Sequence, residues 1–259
     1  MALIPKLRRR SNDERTGTMT VIEHLEELRH RLVVSLGAVG LGAIVGWFLF
    51  STFLRIVQHP FCDYVNGLAP QNRPPTGCRF VFGGPLDVFV VKLKVVVFLG
   101  LFIALPIVLY QLWAFIMPGL TSRERRLAVP FIASSMLLFA LGALFAYITL
   151  PKGLNFLLGF GGSQFVPLID AGRFIGFVVL LTLAFGISFE FPIVLIFLTL
   201  AGVLSSQRLR AWRRPAILLI TIFAAVITPS SDPYTMTAMA VPMVLFYEAA
   251  IIVARIMKR

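Results

Sequence analysis

Long apolar runs separated by short polar segments dominate the pattern along this chain. Runs of about 20 apolar residues fit the roughly 30 Å hydrocarbon core of a bilayer, where helices satisfy their own backbone hydrogen bonds. Six such runs are present: Leu32–Leu54, Leu86–Met117, Leu127–Leu150, Phe174–Leu204, Pro215–Thr228 and Pro233–Ala254. The pattern therefore predicts an all-α, polytopic membrane protein with six transmembrane helices, the fifth and sixth of them short.

Composition and charge agree with a membrane protein and add an orientation. The chain is 58% hydrophobic and 14% charged, whereas a soluble domain carries about a quarter charged residues. Of its 24 Lys and Arg residues, 17 fall on the side that holds both termini and seven on the other. The positive-inside rule then predicts that both termini are cytoplasmic. Topology and contact with anionic lipids explain the net charge of +12 without nucleic acid.

One amphipathic segment, Thr20–Arg31, precedes the first run. The spacing of Thr20 and Glu23 is that of a capping box, which predicts that a helix starts here. Three of the twelve carboxylates in the chain lie in this segment, and Glu27 and Arg31 are four residues apart, the spacing of a supportive helical ion pair. Two interpretations are open: a solvated helix face, or a carboxylate site for a cationic partner at the membrane surface.

The segments outside the apolar runs define the domain boundaries. Residues 1–18 are expected to form a disordered, basic cytoplasmic tail, and residues 19–259 one membrane domain. The largest external loop, residues 55–85, is rich in proline and expected to be irregular. It holds both cysteines, Cys62 and Cys78, which enclose fifteen residues. A disulfide there would contribute about 3 kcal/mol; the alternative is two free thiols.

Glu190 is the ionisable residue closest to the middle of a predicted span. A carboxyl group at that depth costs a few kcal/mol, so we expect it to face protein or water and to have a partner, with Gln111 as the candidate. A purely structural hydrogen bond between helices is the alternative. The sequence contains no P-loop, no Cys/His metal spacing and no GxSxG motif. We therefore expect no cofactor, no metal and no enzymatic activity.

Taken together, the motifs resemble the TatC family, the receptor subunit of the twin-arginine protein translocase. The resemblance covers nearly the whole chain after the basic tail. It lies in HLEELRHRL at His24–Leu32, YQLWAFIMPGL at Tyr110–Leu120 with the RERR that follows, FGISFEFP at Phe185–Pro192 and TPSSDP at Thr228–Pro233. Several motifs in the right order make the resemblance specific.

The resemblance implies a receptor for signal peptides with paired arginines, in the cytoplasmic membrane of a bacterium. The partners it implies are single-span TatA- and TatB-type proteins, folded cargo, and further copies in a homo- or hetero-oligomer. Two sets of residues match positions with roles in the family. Glu27 and Glu124 match the acidic receptors for the two arginines, and Arg29 and Phe115 match further positions of that surface. Gln111, Glu190 and Thr228 match polar positions that hold partner helices.

One position departs from the family: Met236 stands where some relatives carry glutamine. The disulfide is not a general family feature, so its prediction depends on the loop alone. Two other functional classes are weighed here. A small secondary transporter using Glu190 predicts an inverted repeat and further midplane charges, and the sequence shows neither. A purely structural membrane scaffold leaves the acidic sites unexplained.

Overall fold

The computed structural model of the chain describes residues 21–116, 128–159, 168–200, 202–230 and 232–256. Within these ranges the long elements are all α-helices, which confirms the predicted all-α fold. They are α1 (Val21–Gly67), α2 (Pro85–Ile116), α3 (Ala128–Gly159), α4 (Ala171–Phe189), α5 (Phe191–Leu200), α6 (Ser206–Ala211), α7 (Arg213–Ile227) and α8 (Pro233–Ile256), with a 3₁₀ turn at Pro70–Asn72. The predicted tail, residues 1–18, lies outside the described ranges.

Five segments of the described chain are long and apolar enough to cross a membrane: α1, α2, α3, the α4–α5 pair and α8. The remaining predicted span corresponds to α7, which has 15 residues. Such a helix rises about 22 Å, which is less than the roughly 30 Å core of a bilayer. The structure therefore has a polytopic helical fold in which α7 is too short to count as a full span. The prediction of a short sixth span is wrong, because α8 has 24 residues, which rise about 36 Å.

Contacts place four helix termini at one end of the bundle. Arg31 near the start of α1 bonds to Gln111 near the end of α2. The Trp113 ring of α2 lies 4.9 Å from Phe131 at the start of α3 and 5.3 Å from Phe197 of α5. We call this the basic end.

The connection between α6 and α7 and the end of α8 complete the basic end. The Tyr247 hydroxyl of α8 donates to the Leu209 carbonyl of α6 at 2.7 Å, and Arg213 pairs with Glu248 at 2.6 Å. Its described arginines are Arg29, Arg31, Arg208, Arg210, Arg213, Arg214 and Arg255. The opposite end, which we call the loop end, holds residues 68–84 and the starts of α2, α4 and α8.

The predicted irregular loop at 55–85 is wrong over its first part, because α1 continues to Gly67 through Pro60. A proline inside a helix removes one backbone donor. Here Val57, Phe61 and Val65 follow at a spacing of four and are at most 3% exposed. Their burial against the bundle compensates for the lost hydrogen bond and keeps the helix intact.

The two cysteines are free thiols, so the structure does not support the predicted disulfide. They are neighbours nonetheless: the Cys62 Sγ lies 3.9 Å from the Cys78 carbonyl oxygen, which also accepts a 2.6 Å hydrogen bond from Gln58. The Cys62 thiol thus lies within hydrogen-bonding distance of the Cys78 main chain. Hydrogen bonds, not a covalent bond, tie this loop to α1.

Glycines allow two close helix crossings. A Cβ atom on Gly100 of α2 would lie 2.7 Å from backbone atoms of Val39 and Ala43 in α1. A Cβ atom on Gly142 of α3 would lie 2.6 Å from the Phe185 carbonyl oxygen of α4. Both distances are shorter than real side chains tolerate, so the helices touch backbone to backbone. The first crossing aligns α1 with α2 and the second aligns α3 with α4.

Candidate functional site

The first candidate site lies at the basic end, between α1 and α2. Arg31 donates to Glu27 Oε1 from Nε at 2.9 Å and from Nη2 at 2.5 Å, and its Nη1 donates to Gln111 Oε1 at 3.1 Å. The predicted ion pair between Glu27 and Arg31 is thus confirmed, and Gln111 of α2 provides Arg31 with a further hydrogen-bond acceptor. We call these three residues the Glu27 site.

The second oxygen of the Glu27 carboxylate is the distinctive feature of this site. Oε2 has less than 1 Å² of accessible surface and no hydrogen-bond partner among the residues that the structure describes. The Glu27 side chain as a whole is 19% exposed. A buried carboxylate oxygen without a donor is costly, so this atom favours the arrival of a further hydrogen-bond donor.

An aromatic stack flanks the Glu27 site. The His24 ring of α1 lies 4.3 Å from the Phe115 ring of α2, with an angle of 18° between their planes. The stack and the Arg31–Gln111 hydrogen bond lie about two helical turns apart on α1 and one turn apart on α2. Together they fix the relative position of α1 and α2 at the membrane surface.

The structure describes two of the three other residues predicted for this surface. Arg29 is exposed and makes no ion pair within the described ranges. Phe115 is half-buried in the stack with His24. Glu124 lies outside the described residues, so its predicted place beside Glu27 remains a prediction.

The second candidate site is Glu190, at the break between α4 and α5. The Glu190 backbone N–H bonds to the Ile187 carbonyl at 3.0 Å, which is the tighter spacing of a 3₁₀ turn. Pro192 has no N–H to offer the Ser188 carbonyl, so the α-helical ladder stops here. The break thus lies at the carboxylate of the FEFP motif.

The Glu190 carboxyl lies next to the buried Ser135 hydroxyl of α3. Ser135 is seven residues into α3, about 10 Å from the basic end by helical rise. The Oε1 atom of Glu190 is buried and has no hydrogen-bond partner among the described residues. This oxygen and Glu27 Oε2 are the two buried side-chain oxygen or nitrogen atoms left unpaired in the described part of the chain.

A groove of about 440 Å³ opens beside this break. Apolar residues of α3 and α5 form most of its wall. The groove is lined by Pro130, Phe131, Ser134, Leu138, Pro192, Ile193, Ile196 and Leu200. The groove and the carboxyl of Glu190 with Ser135 constitute what we call the Glu190 site.

Two predicted members of the intramembrane site lie elsewhere. The expected hydrogen bond between Gln111 and Glu190 is not formed, since Gln111 accepts from Arg31 at the basic end. Thr228 ends α7 toward the loop end, is 2% exposed and donates to the Ala224 carbonyl at 2.8 Å. The structure therefore does not bring Gln111, Glu190 and Thr228 together into one cluster.

A polar turn follows Thr228 within the TPSSDP motif, and its hydrogen bonds were not predicted from the sequence. Asp232 is 4% exposed and accepts from the Thr235 backbone N–H at 2.8 Å and from the hydroxyls of Ser230 and Thr235. Burial on its own would raise the pKa of Asp232, but these hydrogen bonds outweigh it and hold the pKa below the ordinary value. A charged Asp232 therefore caps the start of α8.

Three residues of these sites were not assigned a site role from the sequence: Arg31, His24 and Ser135. Arg31 was visible only as a helical pair of Glu27, and His24 only as part of a motif. Ser135 is one of two adjacent serines in an apolar run, and nothing in the sequence indicates that it faces Glu190. No group of three or more potential metal ligands occurs in the described ranges.

Comparison with known proteins places these motifs in context. The family model described as Sec-independent protein translocase protein (TatC) matches residues 23–242, from the first turn of α1 to the middle of α8. The TatC protein of Frankia casuarinae is 42% identical over 247 residues, which is 95% of this chain and 68% of that relative. The TatC protein of Aquifex aeolicus is 37% identical over 244 residues, which is 93% of this chain and 97% of that relative.

A solved structure is similar as well. The crystal structure of the twin-arginine translocase receptor TatC has a TM-score of 0.74 and 37% sequence identity to this chain. The alignment covers 92% of this chain and all of that structure. The similarity therefore extends over the whole helical bundle, including both candidate sites.

Proposed function

Because this chain belongs to the TatC family, and is thus a translocase component rather than an enzyme, we propose that its basic end binds twin-arginine signal peptides. The signal peptide is part of a folded protein that is to be exported. The Glu190 site then serves single-span partners of the TatA and TatB type. The proposal assigns the two unpaired carboxylate oxygens to two different ligands.

The proposed topology has six spans, with α7 as a short fifth one and both termini in the cytoplasm. The 17 cationic residues on the side of the termini support this orientation by the positive-inside rule. It places the basic end, and with it the Glu27 site, where an unexported protein first meets the membrane. The membrane is then the cytoplasmic membrane of a bacterium.

The observation that carries the proposed recognition is the Oε2 atom of Glu27, which is buried and has no hydrogen-bond partner among the described residues. Its sister oxygen already accepts two N–H donors from the Arg31 guanidinium. The site is therefore shaped for a guanidinium, and an incoming arginine pairs with the free oxygen or displaces Arg31. In this proposal Glu124 takes the second arginine, and Gln111 keeps Arg31 in place.

Arginine is preferred over lysine for a geometric reason. A guanidinium presents several N–H donors in a planar fork that matches a carboxylate, whereas an ammonium group is a compact point charge. Arg29 is exposed two residues beyond Glu27, and the ring of Phe115 stacks on His24, which lies one turn before Glu27. We assign them to contact with the residues around the arginine pair.

The Glu190 site suits a transmembrane partner rather than a soluble peptide. Its groove is apolar and lies along α3 and α5, and its wall begins at Pro192, two residues after Glu190. Glu190 Oε1 is buried and has no hydrogen-bond partner among the described residues. A partner helix with a polar side chain in its membrane segment satisfies that oxygen by an interhelical hydrogen bond. Thr228 remains in the proposed partner surface as the residue that ends the short α7.

A peptide-binding measurement tests the recognition proposal. Glu27→Gln and Glu26→Gln each remove one charge. Glu26→Gln is the matched control, because Glu26 is exposed whereas Glu27 is half-buried. Glu27→Gln should weaken binding of a peptide with paired arginines by about 1.5–3 kcal/mol, the usual range for hydrogen bonds to charged groups. Glu26→Gln should change the affinity for this peptide little. A peptide with paired lysines should bind weakly to the parent and to both variants. Equal losses for the two variants would overturn the assignment of Glu27.

A further inference from the structure

A second cavity lies at the loop end, far from both sites described above. It has a volume of about 860 Å³ and opens between the first turns of α2 and α4. Its size lies within the range of pockets that bind small molecules. Its wall consists of Gly83, Asp87, Val90, Val91, Lys94, Asp170, Gly172, Arg173, Gly176, Phe177, Leu180 and Pro229.

Two cations, Lys94 and Arg173, line this cavity. A Cβ atom on Gly172 would lie 3.6 Å from Val91 Cγ2, so α4 and α2 are level at these residues. Arg173 follows Gly172 directly, and Lys94 lies three residues beyond Val91, about 4.5 Å further along α2. Lys94 and Arg173 are therefore within one helical turn of the same height.

Neither cation has an ion-pair partner in the part of the chain that the structure describes. The two acids of the cavity are engaged at helix starts instead. Asp170 Oδ1 accepts from the Arg173 backbone N–H at 2.9 Å, and Asp87 lies in the first turn of α2. Both positions are ones where a carboxylate is stabilised by the helix. Within the described ranges, the side chains of Lys94 and Arg173 are therefore available to bind an anion.

The height of these cations matches the surface of a bilayer. Residues 95–110 of α2, which lie between Lys94 and the Gln111 of the basic end, contain no charged residue and rise about 24 Å, most of the roughly 30 Å of a hydrocarbon core. Lys94 therefore lies at one boundary of that core. Below the cations, toward the core, the wall continues as the apolar residues Phe177 and Leu180.

We propose that this cavity binds one phospholipid of the leaflet at the loop end, with the headgroup phosphate between Lys94 and Arg173. The part of an acyl chain nearest the headgroup then lies against Phe177 and Leu180. Gly176 leaves room for it, because a Cβ atom at this position would have no neighbour within 4 Å. Unpaired cations, an apolar lower wall and a position at the membrane boundary together favour a lipid over a soluble anion.

Native mass spectrometry of the full chain in detergent, titrated with phosphatidylglycerol, tests the proposal. A cation near a membrane surface contributes about fivefold in affinity, so Lys94→Gln with Arg173→Gln should weaken binding about 30-fold. The matched control, Arg55→Gln with Lys152→Gln, removes two cations of the same end that do not line the cavity. It should stay within about twofold of the parent.

Two further probes separate the contributions of phosphate and acyl chain. Diacylglycerol, which lacks the phosphate, should bind at least about 30-fold more weakly than phosphatidylglycerol if both cations act on the phosphate. Gly176→Leu keeps both cations but fills the apolar part, and it should also lower phosphatidylglycerol retention. Equal retention by the double variant and its control would overturn the proposal, as would equal binding of diacylglycerol. Displacement of the lipid by millimolar inorganic phosphate would assign the cavity to a soluble anion instead.

Discussion

Glu27 and Glu190 are the same chemical group in two opposite environments. Glu27 lies at the membrane surface, with one oxygen held by the Arg31 guanidinium and a glutamine completing the arrangement. Glu190 lies between apolar helices beside a serine hydroxyl, at a break in its own helix. Each retains one buried oxygen without a donor in the described ranges.

This contrast indicates what each carboxyl group selects. A carboxylate already paired with a guanidinium at the surface suits a second guanidinium, since charge and geometry are both matched. A carboxyl group inside the membrane is disfavoured as a bare charge, so it suits a neutral polar side chain that arrives with its own helix. In the proposed function, the location of each carboxyl group, rather than its identity, determines the ligand that it binds.

The strongest test of this contrast is a reversal of the charge at Glu27. Glu27→Lys places an ammonium group beside Arg31, so the site repels the ligand that it should attract. Binding of a fluorescent twin-arginine peptide should weaken by about 2–5 kcal/mol, as for loss of one partner of a desolvated charge pair. Fluorescence anisotropy with purified protein measures this loss. A loss below threefold would mean that Glu27 does not contact the arginines.

The α1–α2 crossing should matter to the Glu27 site through geometry alone. Gly100→Ala puts a methyl group 2.7 Å from backbone atoms of Val39 and Ala43, so the helices must separate. We expect a loss of about 1–3 kcal/mol in the free energy of unfolding, measured by denaturant titration, together with weaker peptide binding. Gly40→Ala is the matched control, because its Cβ meets no atom within 4 Å. Equal stability of the two variants would contradict the close crossing.

Substitution of Glu190 should impair partner association and leave peptide binding unchanged, whereas substitution of Glu27 should impair peptide binding. Glu190→Ala should weaken association with a single-span partner by about 0.6–2 kcal/mol, the usual worth of an interhelical hydrogen bond in a membrane. Peptide binding should remain as in the parent. Crosslinking of the partner helix in membranes measures the first effect. Thr199→Ala, which removes a buried hydroxyl bonded within α5, is the control and should leave crosslinking unchanged.

The smallest expected effect concerns the polar turn before α8. Because hydrogen bonds hold the pKa of Asp232 below its ordinary value of 3.8, its charge stabilises the fold above that value. This stabilisation is lost as the pH falls through the lowered pKa. Asp232→Asn, which keeps the cap but has no charge to titrate, should cost less than about 1 kcal/mol at neutral pH and flatten the acid loss. Identical acid profiles for variant and parent would contradict the role of the charge.

Much of the fold was predictable because membrane helices are encoded by local composition. The apolar runs matched α2, α7 and α8 to within two residues, since their boundaries coincide with charges and prolines. The third run ended too early, because α3 continues through Pro151 to Gly159. The extension of α1 through Pro60 was missed, because the proline and polar neighbours indicated a loop. Its signal was the spacing of Val57, Phe61 and Val65, which is helical and apolar on one face only.

The sites were predictable as residues but not as assemblies. The sequence indicated Glu27, Glu190 and Gln111, yet it joined Gln111 to the wrong carboxyl group. Both Gln111 and Ser135 are polar residues in apolar helices, and the choice between them depends on the rotation and height of α2 and α3. Those variables are set by long-range crossings such as Gly100 against α1, which a local pattern does not contain.

The central claim is that the two carboxyl groups act on different ligands, and one double-mutant cycle tests it most directly. The measurement is the dissociation constant of a twin-arginine peptide for the parent, Glu27→Gln, Glu190→Gln and the double variant. We predict about a tenfold or greater weakening for Glu27→Gln, less than twofold for Glu190→Gln, and a double variant equal to Glu27→Gln alone. A loss at Glu190→Gln as large as that at Glu27→Gln would contradict the claim.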